Sequence, residues 1–262
     1  MEDKQINKGA NLLYKAFKKS IVIIALLVIW LIIPKYVNNL FVPSLFDVLK
    51  TGAELAISGK LWINTITSLR IAFIGLIIST VIAVPLGVIL GWFKTVEEYI
   101  DPTFQIIRNT SILAILPIFL LIFGVGDTSK YAIIIWATLP ITLLNTVQGV
   151  KNADPVLIQS ARSMGIGNFG LFTKVIIPSA MPFILAGFRL SASISLIVLV
   201  GAEMLGARYG LGFLIYNSMH AYMIPEMYVG ILMLAIIGIA LNAVLVRTEN
   251  YLTRWQEKVV QS

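Results

Sequence analysis

Long apolar runs without charged residues constrain this chain more than any other feature. The clearest run extends from position 71 to 93 and contains no charged residue. About 20 helical residues cross the hydrocarbon core of a bilayer, which is about 30 Å thick. Backbone polar groups in lipid must be satisfied within the protein, and the runs lack the ten-residue alternation of a β-barrel. They therefore predict transmembrane α-helices.

Six such runs predict an all-α polytopic membrane protein. The predicted spans are 20–37, 71–93, 109–126 (beginning earlier, near Pro102), 131–150, 182–205 and 228–246. The transmembrane domain then covers 20–246, between a basic N-terminal segment at 1–19 and a C-terminal tail at 247–262. The composition, 58% hydrophobic and 13% charged, is far from that of soluble domains.

The basic residues predict the orientation of the spans. The two terminal segments and the loop at 151–181 together hold more than half of the 20 lysines and arginines. Because positive loops stay inside, we expect both termini and this loop to be cytoplasmic. The same topology accounts for the net charge of +7, so no nucleic-acid partner is predicted. The basic N-terminal segment is expected to contact membrane lipid. No small-residue cleavage site follows the first run, which favours an uncleaved anchor over a signal peptide.

Several function classes lack the residues that they need. The chain has no cysteine and one histidine, His220, so we expect neither a metal site nor a catalytic one. No P-loop motif is present, so the chain is not its own ATPase. The second, third, fourth and sixth spans contain no Asp or Glu. A secondary transporter with a proton or sodium relay is therefore the less favoured alternative.

The predicted cytoplasmic loop has the features of a folded element. Asp154 followed by Pro155 is a good helix start. Leu157, Ala161 and Met164 recur at helical spacing and predict an apolar stripe. Glycines at 165 and 167 predict the turn that ends this helix, and a second short helix over about 168–177 would stop at Pro178, which separates it from the fifth span. On the residues alone, a hairpin lying on the membrane surface and a docking element are equally open.

The loop also contains a motif. Gln159-Ser160-Ala161, then Gly165, then Val175-Ile176-Ile177-Pro178 resembles, with every spacing kept, the Glu-Ala-Ala, Gly, Ile-x-Leu-Pro signature of ABC importer permeases. Gln for Glu and Ser for the first Ala are departures. The stretches 116–126, 185–195 and 202–215 look like permeases of aliphatic sulfonate, taurine and nitrate importers. Relatives of that branch carry bicarbonate, thiamine-precursor pyrimidines or riboflavin.

The resemblance implies a fold, partners and a mechanism. The expected fold is a five-helix importer core with one extra N-terminal helix, in a bacterial or archaeal cell membrane. Two ATPase subunits, which bind ATP and Mg, would dock on the loops of two permease copies, and an extracytoplasmic binding protein would deliver substrate. Transport would proceed by alternating access. The expected coupling residues are Gln159, Ser160, Ala161, Arg162, Met164, Gly165 and Pro178.

Polar residues within the spans are candidates for the translocation path or gate. They are Asn145, Ser191, Ser195 and Glu203. The serines and Asn145 have packing of helix against helix as the alternative role. For Glu203 the alternatives are an ion pair with Arg208 or a cap on the glycine-rich turn at 206–212. Arg189 is expected to snorkel or to form a structural pair. The stretch at 206–220 predicts an outer loop with a short amphipathic helix.

Overall fold

The computed structural model describes residues 41–253 together with Ile21, Ala25, residues 28–32 and Pro34. The predicted segment 1–19 lies outside the described residues, as do most of the first span and the tail from position 254. The described residues between 21 and 34 are helical. Trp30 in this stretch donates its indole N–H to the carbonyl of Pro43 at 3.3 Å, and its ring packs against Tyr228.

Ten α-helices follow, and no strand occurs among the described residues. They are α1 (Leu45–Ile57), α2 (Lys60–Trp92), α3 (Lys94–Asn109), α4 (Ile112–Phe123), α5 (Asp127–Lys151), α6 (Pro155–Ser163), α7 (Asn168–Leu171), α8 (Ile177–Gly206), α9 (Leu211–His220) and α10 (Ile224–Leu252). A π-turn, Phe172–Ile176, joins α7 to α8. Four helices of this region are long and apolar enough to span a membrane: α2, α5, the continuous helix Asn168–Gly206, and α10.

Helix α5 is the centre of the bundle, because α2 and α8 both pack against it. Glycines allow the close approach. A Cβ on Gly87 of α2 would lie 2.6 Å from Cβ of Thr146, and one on Gly187 of α8 would lie 2.7 Å from Cβ of Asn145. Small residues bring helices together in this way when the surrounding lipid is as apolar as the side chains.

The predicted third span is divided between two helices, so the expectation of one continuous helix is wrong. Helix α3 packs through Phe104 against the half of the bundle nearest the loop at 151–181, which we call the loop end. Helix α4 packs through Leu116 against the opposite half, the far end. Its 12 residues are too short to span by themselves. The break lies at Thr110 and Ser111, whose ψ angles are 131° and 119°.

The break contains three short polar residues, Asn109, Thr110 and Ser111. Such residues compete with the helix for backbone hydrogen bonds and favour helix ends. No proline lies at this point.

Two further boundaries differ from the sequence prediction. Helix α2 begins at Lys60 rather than at position 71, and Arg70 inside it pairs with Asp127 at 2.7 Å. Helix α1 was not predicted. Its signal was Ser44, whose hydroxyl oxygen accepts from the backbone N–H of Asp47 at 3.1 Å in an N-cap.

Candidate functional site

The loop at 151–181 begins as its sequence predicts. Helix α6 starts at Pro155, and the carboxylate of Asp154 accepts a hydrogen bond from the backbone N–H of Val156 at 2.8 Å. Proline at the first helical position loses nothing, because its missing N–H would have no partner inside the helix. These two residues fix where α6 leaves α5.

Helix α6 ends in the turn that its glycine predicts. Gly165 has φ +73°, and its N–H donates to the carbonyl of Arg162 at 3.0 Å. The N–H of Ile166 donates to the carbonyl of Ala161 at 3.1 Å. This pair of bonds is a Schellman motif, which requires the left-handed conformation at the glycine. Gly167 has an ordinary φ of −68° and is not required for the turn.

The predicted apolar stripe of α6, Leu157, Ala161 and Met164, lines a single groove, but only its middle residue is buried. Ala161 is 2% exposed and packs with Leu171 and Ile176 in the core of the loop end. Leu157 and Met164 are instead 52% and 72% exposed. The reason is that α6 has only nine residues and contacts the bundle with one narrow side.

The exposed surface of α6 combines apolar and polar side chains. Gln159, Ser160 and Arg162 are exposed, as is Gly165. An open groove of about 480 Å³ separates α6 from the beginning of α8. It is lined by Leu157, Ser160, Met164, Ile166, Val175 and Pro178. Phe169, on α7, is 84% exposed beside this surface.

Pro178 does not end a separate helix, which corrects the sequence prediction. The chain is helical from Asn168 to Gly206. The π-turn before Pro178 is closed by a bond from the N–H of Ile177 to the carbonyl of Phe172. Proline inside a helix removes one N–H donor and clashes with the preceding turn, which weakens or kinks the helix. The wider π-turn places Pro178 in the first turn of α8, where both costs are small.

Glu203 lies at the far end, in the last turn of α8, and is fully buried. The hydroxyl of Ser68 on α2 donates to its Oε1 at 2.7 Å, and the N–H of Gly212 donates to its Oε2 at 2.8 Å. Ser68 also accepts from the N–H of Leu211 at 2.8 Å. Glu203 thus accepts a hydrogen bond from the first turn of α9 and caps the glycine-rich turn, which was one of its two structural alternatives. The other alternative was an ion pair with Arg208, and the partners of Glu203 do not include that arginine.

A second bond closes this far-end network. The side-chain oxygen of Asn64 accepts from the N–H of Gly210 at 2.8 Å. Gly210 has φ +131°, and a Cβ there would overlap the carboxylate of Glu203. The sequence did not indicate Asn64 or Ser68, because neither residue stands out from other polar residues near the end of an apolar run.

The remaining path candidates are placed inside the bundle. Ser191 is fully buried and its hydroxyl bonds that of Thr142 on α5 at 2.8 Å. Ser195 donates to the carbonyl of Ala192, and half-buried Asn145 donates to that of Ile141, both at 2.8 Å. The Ser191 bond joins α8 to α5 and agrees with the packing alternative for that serine. The bonds of Ser195 and Asn145 lie within their own helices and favour neither alternative, so a path role stays a prediction.

Arg189 forms the structural pair that was one of its two predicted roles. Its Nη1 lies 2.7 Å from Oε2 of Glu249, so it joins α8 to α10 at the loop end. Both side chains are partly buried, which shields the pair from solvent screening.

Long apolar helices around α5, with an exposed helical loop at one end and a satisfied polar network at the other, define a polytopic membrane protein. The chain belongs to the family of binding-protein-dependent transport system inner membrane components, whose model matches residues 83–258. It is therefore an ABC transporter permease.

Curated relatives agree on the class. The chain is 30% identical to the taurine transport system permease protein TauC of Escherichia coli, over 89% of this chain and 88% of that protein. It is also 30% identical to a putative aliphatic sulfonates transport permease protein SsuC of Bacillus subtilis, over 84% and 80%. The formylaminopyrimidine transport permease protein ThiX of Halalkalibacterium halodurans is 29% identical, over 94% and 98%.

Solved structures show the same fold. A chain of the MetNI methionine ABC transporter, in an inward-facing conformation, superposes with a TM-score of 0.67. The match covers 74% of this chain and 98% of that chain, at 18% identity.

Proposed function

We propose that this chain forms the membrane path of an importer for aliphatic sulfonates such as taurine, driven by a separate ATPase that docks on the loop at 151–181. The observation that carries the docking role is the exposed apolar surface of α6 and α7. Met164 is 72% exposed and Phe169 is 84% exposed on a loop that otherwise folds tightly. Large apolar side chains rimmed by polar ones mark protein interaction surfaces.

The internal packing of the loop supports its use as a coupling element. Ala161, Leu171 and Ile176 anchor it to the bundle, while Gln159, Ser160, Arg162 and Gly165 face outward. A partner bound to the outward residues would thus contact a surface that is rigidly continuous with α8. ATP and Mg would bind to that partner, and this chain supplies no catalytic group.

The proposed complex contains further partners. Two copies of this permease would pair to form the path, two ATPase subunits would bind at the cytoplasmic loop ends, and an extracytoplasmic binding protein would dock at the far end. The chain would reside in the cell membrane with both termini inside. Alternating access would then move substrate between the two ends.

The substrate proposal is supported by relatives named for taurine and aliphatic sulfonates. A second candidate, a formylaminopyrimidine, is favoured by one observation: the match to ThiX extends over 94% of this chain. Uptake of labelled taurine and of labelled formylaminopyrimidine by cells with and without the gene distinguishes the two. Taurine uptake that depends on the gene supports the first, and pyrimidine uptake alone replaces it with the second.

The docking proposal is tested by Met164→Asp. Met164 packs little against its own chain, so the variant should fold, while a charge in an apolar contact should weaken ATPase binding at least tenfold, equivalent to about 1.4 kcal/mol. Co-purification of the ATPase and ATP-driven uptake are the measurements. Ile57→Asp is the control, because Ile57 is also a strongly exposed apolar residue but lies at the end of α1, next to the beginning of α2 at the far end. If Met164→Asp binds the ATPase and takes up substrate as wild type does, the docking proposal is wrong and the loop is only a surface hairpin.

A further inference from the structure

A polar pocket lies at the far end, apart from the coupling loop and from the Glu203 network. Its volume is about 360 Å³, within the range of small-molecule sites. Three elements line it: α2, the start of α5, and the loop between α8 and α9. Its charged lining residues are Arg70, Asp127, Lys130 and Arg208.

The pocket carries an excess of positive charge. Asp127 is the only carboxylate among the described residues that line it, and each of its oxygens is already paired with a cation. Oδ2 lies 2.7 Å from Arg70, and Oδ1 lies 3.1 Å from Lys130. Arg208 makes no ion pair with any described residue and is exposed to the pocket opening. Three cations thus share one anion.

The nearby carboxylate of Glu203 offsets part of this excess, because it interacts electrostatically with Lys130, but the three cations still outnumber the two carboxylates. Glu203 lies behind the loop and does not line the cavity. Its two oxygens are already bonded by Ser68 and Gly212.

We propose that this pocket binds a small oxyanion, with Arg208 as the residue that contacts it directly. A planar guanidinium matches two oxygens of a sulfonate or carboxylate, and charge-assisted bonds of this kind are the stronger ones. Lys130 supplies charge from the pocket wall, since its side chain is only 5% exposed. The identification of the anion as a sulfonate rests on the proposed function.

The shape of the site favours a small ion over an acidic protein surface. Lys130 is recessed in the concave wall, whereas a docked protein would reach mainly the rim, where Arg70 is exposed. Tyr209 also lines the cavity, and its hydroxyl can donate to an anion oxygen. One wall is the loop at 206–210, which the Glu203 network fixes in place. A bound anion would therefore contact the loop that joins α8 to α9.

The test measures methanesulfonate binding to the full-length, detergent-purified chain by calorimetry at constant ionic strength. Dimethyl sulfone, similar in shape but neutral, is the comparison ligand. Wild type should bind the anion and not the sulfone. Arg208→Gln should weaken binding about tenfold, the effect of losing one charge-assisted bond. Lys50→Gln, which removes an exposed charge outside the pocket, should bind as wild type does.

Two results overturn the site: equal binding of methanesulfonate and the sulfone, or unchanged binding in Arg208→Gln. Taurine uptake by the assembled complex separates this inference from the proposed function. If wild type transports no taurine but binds methanesulfonate through Arg208, the substrate proposal fails and the anion site stands. If Arg208→Gln loses uptake yet binds methanesulfonate normally, the arginine serves docking of the binding protein, and the anion site is overturned.

Discussion

At the scale of single residues, Glu203 connects three elements through one carboxylate. Burying a carboxylate without partners is costly, and an unpaired acceptor at this depth would destabilise the bundle. Ser68 from α2 and Gly212 from α9 supply the donors. The network therefore fixes the positions of α2, α8 and α9 relative to one another at the far end.

The first prediction concerns the pair Glu203 and Ser68. Glu203→Gln keeps an acceptor for Gly212 but loses a charge-assisted bond, which costs about 1–3 kcal/mol. Ser68→Ala removes the same bond from the other side and leaves the N–H of Leu211 without its acceptor. Because the two changes affect one interaction, their effects should be less than additive in a double-mutant cycle. Thermal unfolding in detergent measures this, and strictly additive effects would contradict the shared bond.

The second prediction concerns Gly210. Gly210→Ala places a methyl group where it overlaps the carboxylate of Glu203, at a φ of +131° that side chains rarely adopt. We expect a loss of about 1–3 kcal/mol from strain and displacement of the network. Gly238→Ala in α10 is the control, since no atom lies within 4 Å of that Cβ. A Gly210→Ala protein with the unfolding midpoint of the control would be inconsistent with this packing.

Only part of the Glu203 network could be predicted from the sequence. A carboxylate near an apolar run is conspicuous, and the cap on the glycine-rich turn was one of its predicted roles. Ser68 precedes Glu203 by 135 positions, and nothing in the sequence marks one serine as the partner. The contact arises from the packing of α2 against α8, which periodicity does not determine.

At the scale of elements, the loop at 151–181 shows what local chemistry determines. Asp154, Pro155 and Gly165 fix the two ends of α6 through bonds within a few residues, so their roles were predictable. The failed predictions involve longer-range geometry. Pro178 was expected to interrupt the helix, but the π-turn that accommodates it has no sequence signature. The division of the third span depends on α3 and α4 packing against different halves of the bundle.

The third prediction compares two glycines in this loop. Both Gly165 and Gly167 have open space for an added methyl group, but only Gly165 has a positive φ. Gly165→Ala should therefore cost about 1 kcal/mol of local stability and Gly167→Ala almost none. Hydrogen exchange of the α6 amides in the intact chain reports the difference. Equal protection in the two variants would show that the Schellman turn is not required for the stability of α6.

At the scale of the whole molecule, the helices differ in how far this chain covers them. In the most apolar 18-residue stretch of α5, 61% of the residues are buried, whereas in that of α10 only 17% are buried. Helix α5 is thus enclosed by its own chain, and α10 presents most of its surface outward. Large exposed apolar faces on a spanning helix are stable in lipid or against another membrane helix. The sequence predicted the spans by composition, and the central helix α5 has the lowest mean hydropathy of the four, a signal that the span prediction did not use.

The fourth prediction concerns orientation. The chain contains no cysteine, so single cysteines can be introduced at Asn168 in the loop and at Ala53 in α1, both exposed. The excess of basic residues predicts that position 168 resists an impermeant maleimide in intact cells and that position 53 reacts. Permeabilised cells provide the control, in which both should react. Labelling of 168 but not 53 in intact cells would reverse the topology and remove the loop from the cytoplasm.

The unbroken helix from Asn168 to Gly206 has a mechanical consequence. Its 39 residues extend over about 58 Å, from the loop at 151–181 to the Glu203 network. The π-turn Phe172–Ile176 and Pro182 are the points inside it where a helix is expected to bend. A 5° tilt of the whole helix about its far end would move the loop end by about 5 Å, given that length. How much of a push on α6 reaches Glu203 therefore depends on bending at these two points.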